Sequence, residues 1–163
     1  MIVRAITLAG GLAVGAGTSQ FPEFSQQYAQ RLGGAVDALS EVVTDFDTSA
    51  AAEGLSRSEA LGQMTGADFI ERRRTDMERT FDRHAILTDD LRLLAEAGPF
   101  MQAYHVARFT DGDVASAAWD AFQPAVPLNL TGAFFAGFGF LVGFITMSIL
   151  LAVIRWPFRR RTA

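Results

Sequence analysis

From Ala121 to Ile154 the chain carries no charged side chain, and residues 5–22 carry none either. All 18 acidic residues fall between Glu23 and Asp120. A water-soluble chain intersperses charge along its length, because every face that meets water needs it. A chain that gathers its charge in the middle has two ends suited to another solvent. The segregation predicts an all-α membrane protein: two transmembrane helices flanking a small periplasmic helical bundle. The 163 residues leave room for one such domain.

The second apolar segment is the plainer one. Residues 128–154 contain only Asn129, Thr131, Thr146 and Ser148 as polar interruptions. As a helix they would extend about 40 Å against a hydrocarbon core of about 30 Å, so tilt or overhang into the headgroups is expected. The run ends in Arg155-Trp156-Pro157-Phe158-Arg159-Arg160-Arg161. An aromatic at headgroup level followed by arginines is how a cytoplasmic helix end reads. Arg155, Trp156, Arg159, Arg160 and Arg161 are therefore the expected anchor, within a basic tail of residues 155–163. The competing interpretation, a buried helix of a soluble core, would require an unusually long helix.

The first segment, residues 1–19, is shorter and rich in glycine, serine and threonine. Arg4 ahead of an apolar run of small residues also has the outline of a signal peptide. No convincing cleavage site precedes Gln20, however, and a retained span brings the chain across so that the second can return, so an anchor is expected.

Arginine placement sets the orientation. There is no lysine, and the 14 basic residues are all arginine. Five lie in residues 1–19 and 128–163, which hold no acid; the other nine share the middle with all 18 acids. Arginines close to a span resist translocation, so both termini are expected in the cytoplasm of a bacterial inner membrane and residues 20–127 in the periplasm. Cysteine is absent, which removes disulfides, thiolate nucleophiles and cysteine-ligated metals.

Three helical stretches can be read in the middle. Phe24, Tyr28, Leu32, Val36, Leu39, Val42 (or Val43) and Phe46 recur every three or four residues, the pattern of a helix with one buried side. Pro22 sits at or before its first turn, where proline is tolerated, so the first span can run into this helix with only a kink. Ser56 and Glu59 have capping-box spacing and open the next helix. A longer helix follows, with Phe69, Met77, Phe81, Leu87, Leu91 and Leu94 along one side, and Gly98-Pro99 stops it. A pair of short helices is expected over Phe100 to Phe109 and Val114 to Phe122, separated by the Asp111-Gly112-Asp113 turn.

Candidate chemistry is sparse. His84 lies on the apolar side of the long helix and His105 beside Tyr104; neither has an acidic or histidine partner three or four residues away, so a metal site is not indicated. Arg72, Arg73, Arg74, Arg79 and Arg83 look like a basic patch until Asp68, Asp76, Glu78 and Asp82 are set beside them at helix ion-pair spacings. A solvated, self-paired face is the expectation, and nucleic acid is excluded as a partner. No nucleotide, hydrolase or zinc motif is present, so neither a catalytic site nor a cofactor is expected.

The small residues of the spans carry more. Gly132, Ala136, Gly139 and Gly143 fall within a stripe about 60° wide on the second span. On the first, Gly11 and Gly15 form a G-x-x-x-G pair, with Ala9, Ala13 and Gly17 repeating the small spacing. Such stripes let helix backbones approach closely in lipid, either the two spans with each other or one of them with another protein.

The run Phe21-Pro22-Glu23-Phe24-Ser25-Gln26-Gln27-Tyr28-Ala29-Gln30-Arg31-Leu32-Gly33-Gly34, directly after a short first span, resembles the opening of an uncharacterised proteobacterial family of two-span membrane proteins. Phe122-Gln123-Pro124-Ala125-Val126-Pro127-Leu128, ahead of the second span, is similar too. The resemblance implies the topology and no activity. Within it, Gln26, Gln27, Gln30 and Arg31 read as a polar cluster at the outer membrane surface, able to grip headgroups or a partner's loops.

The leading functional expectation is a non-catalytic accessory or scaffold subunit of a larger inner-membrane complex, of the respiratory or photosynthetic kind. Its partners would be membrane lipids and an integral-membrane assembly, with a homo-oligomer as a further option. Two alternatives are a periplasmic sensing component that signals through a separate partner, and a lipid- or quinone-binding module with its ligand between the spans beneath Phe24 and Tyr28.

Overall fold

The computed structural model describes residues 1–105, 109, 111–124 and 129–159. For Pro99, Pro157, Phe158 and Arg159 the description stops at the backbone. Among the described residues there are helices and turns and no strand: α1 (Ile2–Ser19), α2 (Phe21–Ala52), α3 (Arg57–Gln63), α4 (Asp68–Glu96), α5 (Pro99–Tyr104), α6 (Gly112–Asp120) and α7 (Leu130–Arg159).

Local chemistry sets the joints. Pro22 has no N–H to offer the carbonyl four residues back, and α1 and α2 part there by the single residue Gln20, itself helical at φ −80° and ψ −13°. Beyond α2, Gly54 takes a positive φ of 71°, which costs a glycine nothing. Ser56 then opens α3 with a full capping box: its hydroxyl accepts from the Glu59 N–H, and Glu59 accepts from the Ser56 N–H at 2.8 Å. The helix that Ser56 opens is short, and the longer one follows it. The short one breaks off after Gln63, and Gly66 at φ 100° precedes α4. Asn129, an apparent polar flaw in the second span, is its cap: the side-chain oxygen accepts from the Gly132 N–H at 2.7 Å.

The chain forms two compact units. The first comprises Met1–Gln26, Pro99–Ala103 and the chain from Phe122 onward. In it α1 and α7 lie antiparallel, since Gly11 and Gly15 approach Phe140 while Gly10 approaches Met147. Two helical runs are long and apolar enough to cross a membrane: the one from Ile2 on through the Gln20 joint to Ala52, whose most apolar 18 residues have a mean hydropathy of 1.3, and Leu130–Trp156, whose most apolar 18 reach 2.4. Only 11 % of the apolar window of Leu130–Trp156 is buried, whereas the central helix of a soluble core would be mostly covered. Such helices are compatible with a membrane protein.

The second unit comprises Gln27–Gly98 and Tyr104–Ala121. Tyr28, Leu32 and Val36 of α2 are buried, together with Leu87 and Leu94 of α4 and Val114 and Ala118 of α6. Val43, and not Val42, continues the buried side of α2. Phe46 meets Phe81 edge-on at 5.2 Å between ring centres, and Tyr28 stacks on Phe109 at 4.2 Å. Phe69 departs from expectation: it is 70 % exposed. Helix phase is not the reason. The 18 positions from Phe69 to Leu87 make about five turns, so both project to the same side, and at Phe69 the described residues leave that side exposed.

Candidate functional site

The contact between α1 and α7 is built from missing side chains. On α1 the buried row is Thr7, Gly11, Gly15 and Ser19, one residue per turn. Facing it, Gly139 and Gly143 are buried and Ala136 is half-buried; Gly132, in the first turn of α7, is buried as well. A Cβ at Gly143 would stand 2.6 Å from Val14 Cβ and 3.0 Å from the Gly10 carbonyl oxygen. One at Gly15 would meet the Ala136 carbonyl oxygen at 2.8 Å, one at Gly11 the Phe140 ring at 2.9 Å, and one at Gly139 would overlap the Thr18 side chain. With backbone against backbone, dispersion contacts that side chains would hold apart become available. The row is thereby covered by the chain's own other span.

Ala9, Ala13 and Gly17, which share the small spacing, lie exposed. The buried row instead includes hydroxyls that the small-residue pattern passes over. Thr7 and Ser19 donate to carbonyls of their own helix, Val3 at 2.9 Å and Ala16 at 2.7 Å, which makes a polar residue tolerable in an apolar contact. Thr18 Oγ1 lies 2.9 Å from the Val14 carbonyl oxygen and 2.9 Å from that of Phe135 on α7. Having one proton, it can serve the intrahelical or the interhelical acceptor.

The two ends of the helix pair differ. Beside the α1–α2 joint there is an aromatic layer: Phe100 stacks on Phe135 at 5.6 Å and meets Phe134 edge-on at 5.0 Å, while Phe21 also contacts Phe135. At the opposite end a groove of about 870 Å³ opens between α1 and α7, with Val3, Leu8 and Leu151 among its walls and Arg4 and Arg155 also lining it. An opening between the spans thus exists at the arginine end, away from Phe24. Trp156, one residue on, is 60 % exposed. Arg159 is described by its backbone alone, and Arg160 and Arg161 lie outside the described residues. Of the polar cluster, Gln26, Gln30 and Arg31 are exposed and Gln27 is half-buried.

In the second unit the polar groups mostly answer one another. Arg73 pairs with Asp76, Arg74 with Glu78 and Arg79 with Asp76 along α4. Arg83 does something else. Its guanidinium donates to both oxygens of Asp111, Nε at 2.8 Å and Nη2 at 3.0 Å. The same carboxylate caps α6, accepting from the N–H groups of Asp113 at 3.1 Å and Val114 at 3.0 Å. Burial works to raise the Asp111 carboxyl, but the Arg83 guanidinium and those two amides outweigh it and hold it below its ordinary value. Arg57, on the opening turn of α3, grips Asp47 through Nε at 2.7 Å and lies over the Phe81 ring at 4.5 Å.

His84 is paired with the Ser40 hydroxyl at 2.9 Å, and His105 meets Tyr104 edge-on. Among the described residues no three potential metal ligands come together. Asp90 shares the buried side of α4 with Leu87 and Leu94, a position that a count of apolar spacing does not flag.

Residues 2–160 match the family described as "Protein of unknown function (DUF2937)". No curated protein and no solved structure matches the chain.

Proposed function

The chain belongs to this family of unknown function, and on that premise we propose that it is a non-catalytic accessory or scaffold subunit of a larger bacterial inner-membrane assembly. In this reading α1 and α7 insert as a helical hairpin, both termini stay in the cytoplasm, and residues 20–127 lie in the periplasm. The arginine distribution supports the orientation, five at the two ends with no acid among them.

The observation that carries the docking role is Phe69. It continues the stripe that Leu87 and Leu94 bury, yet it is 70 % exposed, with Ile70 beside it at 36 %. A single exposed apolar residue means little. The continuation of a core stripe beyond the chain's own cover is more specific, because it offers a partner a row already in helical register. The glycine rows face each other in α1 and α7, so the docking surface falls outside them.

Affinity purification of the tagged protein from its native membrane in mild detergent tests the reading. It should migrate in an assembly far larger than its own 17.7 kDa, and Phe69→Asp should reduce the co-purifying partner while leaving membrane insertion intact. Migration only as a free small protein would overturn the subunit role. Activity of a cytoplasm-only reporter within Ala50 to Gly54, with none after Ala163, would reverse the orientation.

A further inference from the structure

The geometry points to a binding site for one anionic phospholipid in the groove between α1 and α7, an acyl chain lying along its apolar walls and the headgroup phosphate held between Arg4 and Arg155. The groove follows from where the glycines stop. Gly10 and Gly143 are the last glycines of the close contact in this direction, and each already meets a full side chain, Met147 and Val14. Beyond them the facing positions carry larger side chains, and about 870 Å³ opens, within the usual range of roughly 300–1,000 Å³ for sites that enclose a small molecule.

The walls suit an acyl chain. Val3, Leu8 and Leu151 line the groove, and its hydroxyls are already engaged, Thr7 with the Val3 carbonyl and Ser148 with that of Phe144. Nothing there asks for a polar ligand along the length of the groove. The charge lies in two side chains. Arg4 and Arg155 have no carboxylate partner among the described residues, and the sequence around them, residues 1–22 and 121–163, contains no acid at all. A guanidinium offers a planar fork that matches a phosphate, so two of them make a site for a phosphodiester with net negative charge.

Depth agrees. Gly143 lies at the midpoint of the apolar run Leu130–Trp156. Arg155 is 12 positions further on, about 18 Å at the helical rise, against about 15 Å from the bilayer midplane to the edge of the hydrocarbon. Arg155 therefore reaches headgroup level, with Trp156 beside it. Arg4, six positions or about 9 Å from Gly10 at the level of Gly143, starts deeper and extends its long side chain toward the same level.

The inference rests on the membrane placement proposed above and not on the subunit role, and the two fail separately. Loss of the partner leaves lipid retention unchanged, and a lipid-free hairpin leaves the partner result unchanged. The full chain in mild detergent is titrated with phosphatidylglycerol, with phosphatidylcholine and with inorganic phosphate, and read by native mass spectrometry. One phosphatidylglycerol per chain should be retained in preference to phosphatidylcholine, and inorganic phosphate should not displace it. Arg4→Gln with Arg155→Gln should weaken retention about tenfold per arginine, while Arg4→Lys with Arg155→Lys keeps the charge and most of the binding. Ala152→Trp, which fills the groove and spares both arginines, should also weaken it. Equal retention of phosphatidylcholine, displacement by inorganic phosphate, or indifference to either the glutamine pair or Ala152→Trp in protein of unchanged helix content would each overturn the site.

Discussion

Gly143 on α7 and Leu94 on α4 are both buried, and for opposite reasons. At Gly143 a second helix comes so near that a single added carbon would stand 2.6 Å from Val14. At Leu94 a large apolar side chain is 1 % exposed, in a unit whose core consists of such side chains. The difference matches two solvents. In water, burying a leucine removes apolar surface and stabilises by roughly 1.5–3 kcal/mol. In lipid that drive is absent, because the alternative neighbour is as apolar as the helix, and what remains is close packing with a few polar contacts. One unit is therefore specified by what its helices lack, the other by what they carry.

The largest expected effect lies at the glycines. Gly139→Leu with Gly143→Leu puts side chains where Thr18 and Val14 already stand, and neither obstacle is the free end of a flexible chain. Membrane insertion should survive, since leucine is at least as apolar as glycine. The pairing of the spans should not. The protein has no cysteine, so cysteines introduced at Thr7 and Ser148, which line the same groove, report pairing through a short bifunctional thiol reagent. Near-complete loss of that crosslink is expected, and parental crosslinking would show that the close approach of α1 and α7 is not what joins them.

The corresponding break in the second unit is Leu94→Asp or Leu87→Asp, both 1 % exposed. Either buries a carboxylate without a prepared partner and should cost about 3 kcal/mol or more. Protease resistance of residues 27–121 should fall while the α1–α7 crosslink persists. If both readouts fall together, the two regions do not rest on separate physical grounds.

The same division explains what could be read from sequence. The charge-free runs gave away the two apolar helices, and the Ser56–Glu59 capping box was legible because its chemistry is local. Of the buried row on α1, Gly11 and Gly15 were legible, but Thr7 and Ser19 were not, because a hydroxyl that satisfies its own helix looks in sequence like an interruption. Phe69 shares the side of α4 that carries Leu87 and Leu94, as its spacing implies, yet stands exposed: periodicity fixes phase, but only tertiary structure says whether anything covers that phase. Arg83 was grouped with a self-paired face because local spacing rules see three or four residues, while its partner Asp111 lies 28 positions away. The short helix opened by Ser56 and the longer one carrying Phe69 were legible as two, but not the position of the joint between them, which Gly66 marks with a φ of 100°.

The smallest effects sharpen the contrast within the second unit itself, where two arginines of α4 hold carboxylates in different ways. Arg73 faces Asp76 at 3.5 Å with both side chains about half exposed, so Arg73→Ala should change stability by no more than about 0.5 kcal/mol. Asp111, only 12 % exposed in its side chain, serves Arg83 and caps α6 together. Asp111→Ala should therefore cost about 2 kcal/mol, with the cap contributing about 1 kcal/mol and the partly solvent-screened charged bonds the remainder. Asp111→Asn separates the two, since asparagine still caps but cannot carry the charge. Because the folded-state value of the Asp111 carboxyl is lowered, its ionic contribution is fully present above the ordinary carboxylate range and is lost as pH falls through the folded value. Denaturant titrations of the parent and Asp111→Asn should thus differ at neutral pH and converge in acid, whereas the parent and Arg73→Ala should run together throughout. Coincidence of parent and Asp111→Asn already at neutral pH would mean that the carboxylate acts as a cap alone, and that Arg83 is as loosely held as Arg73.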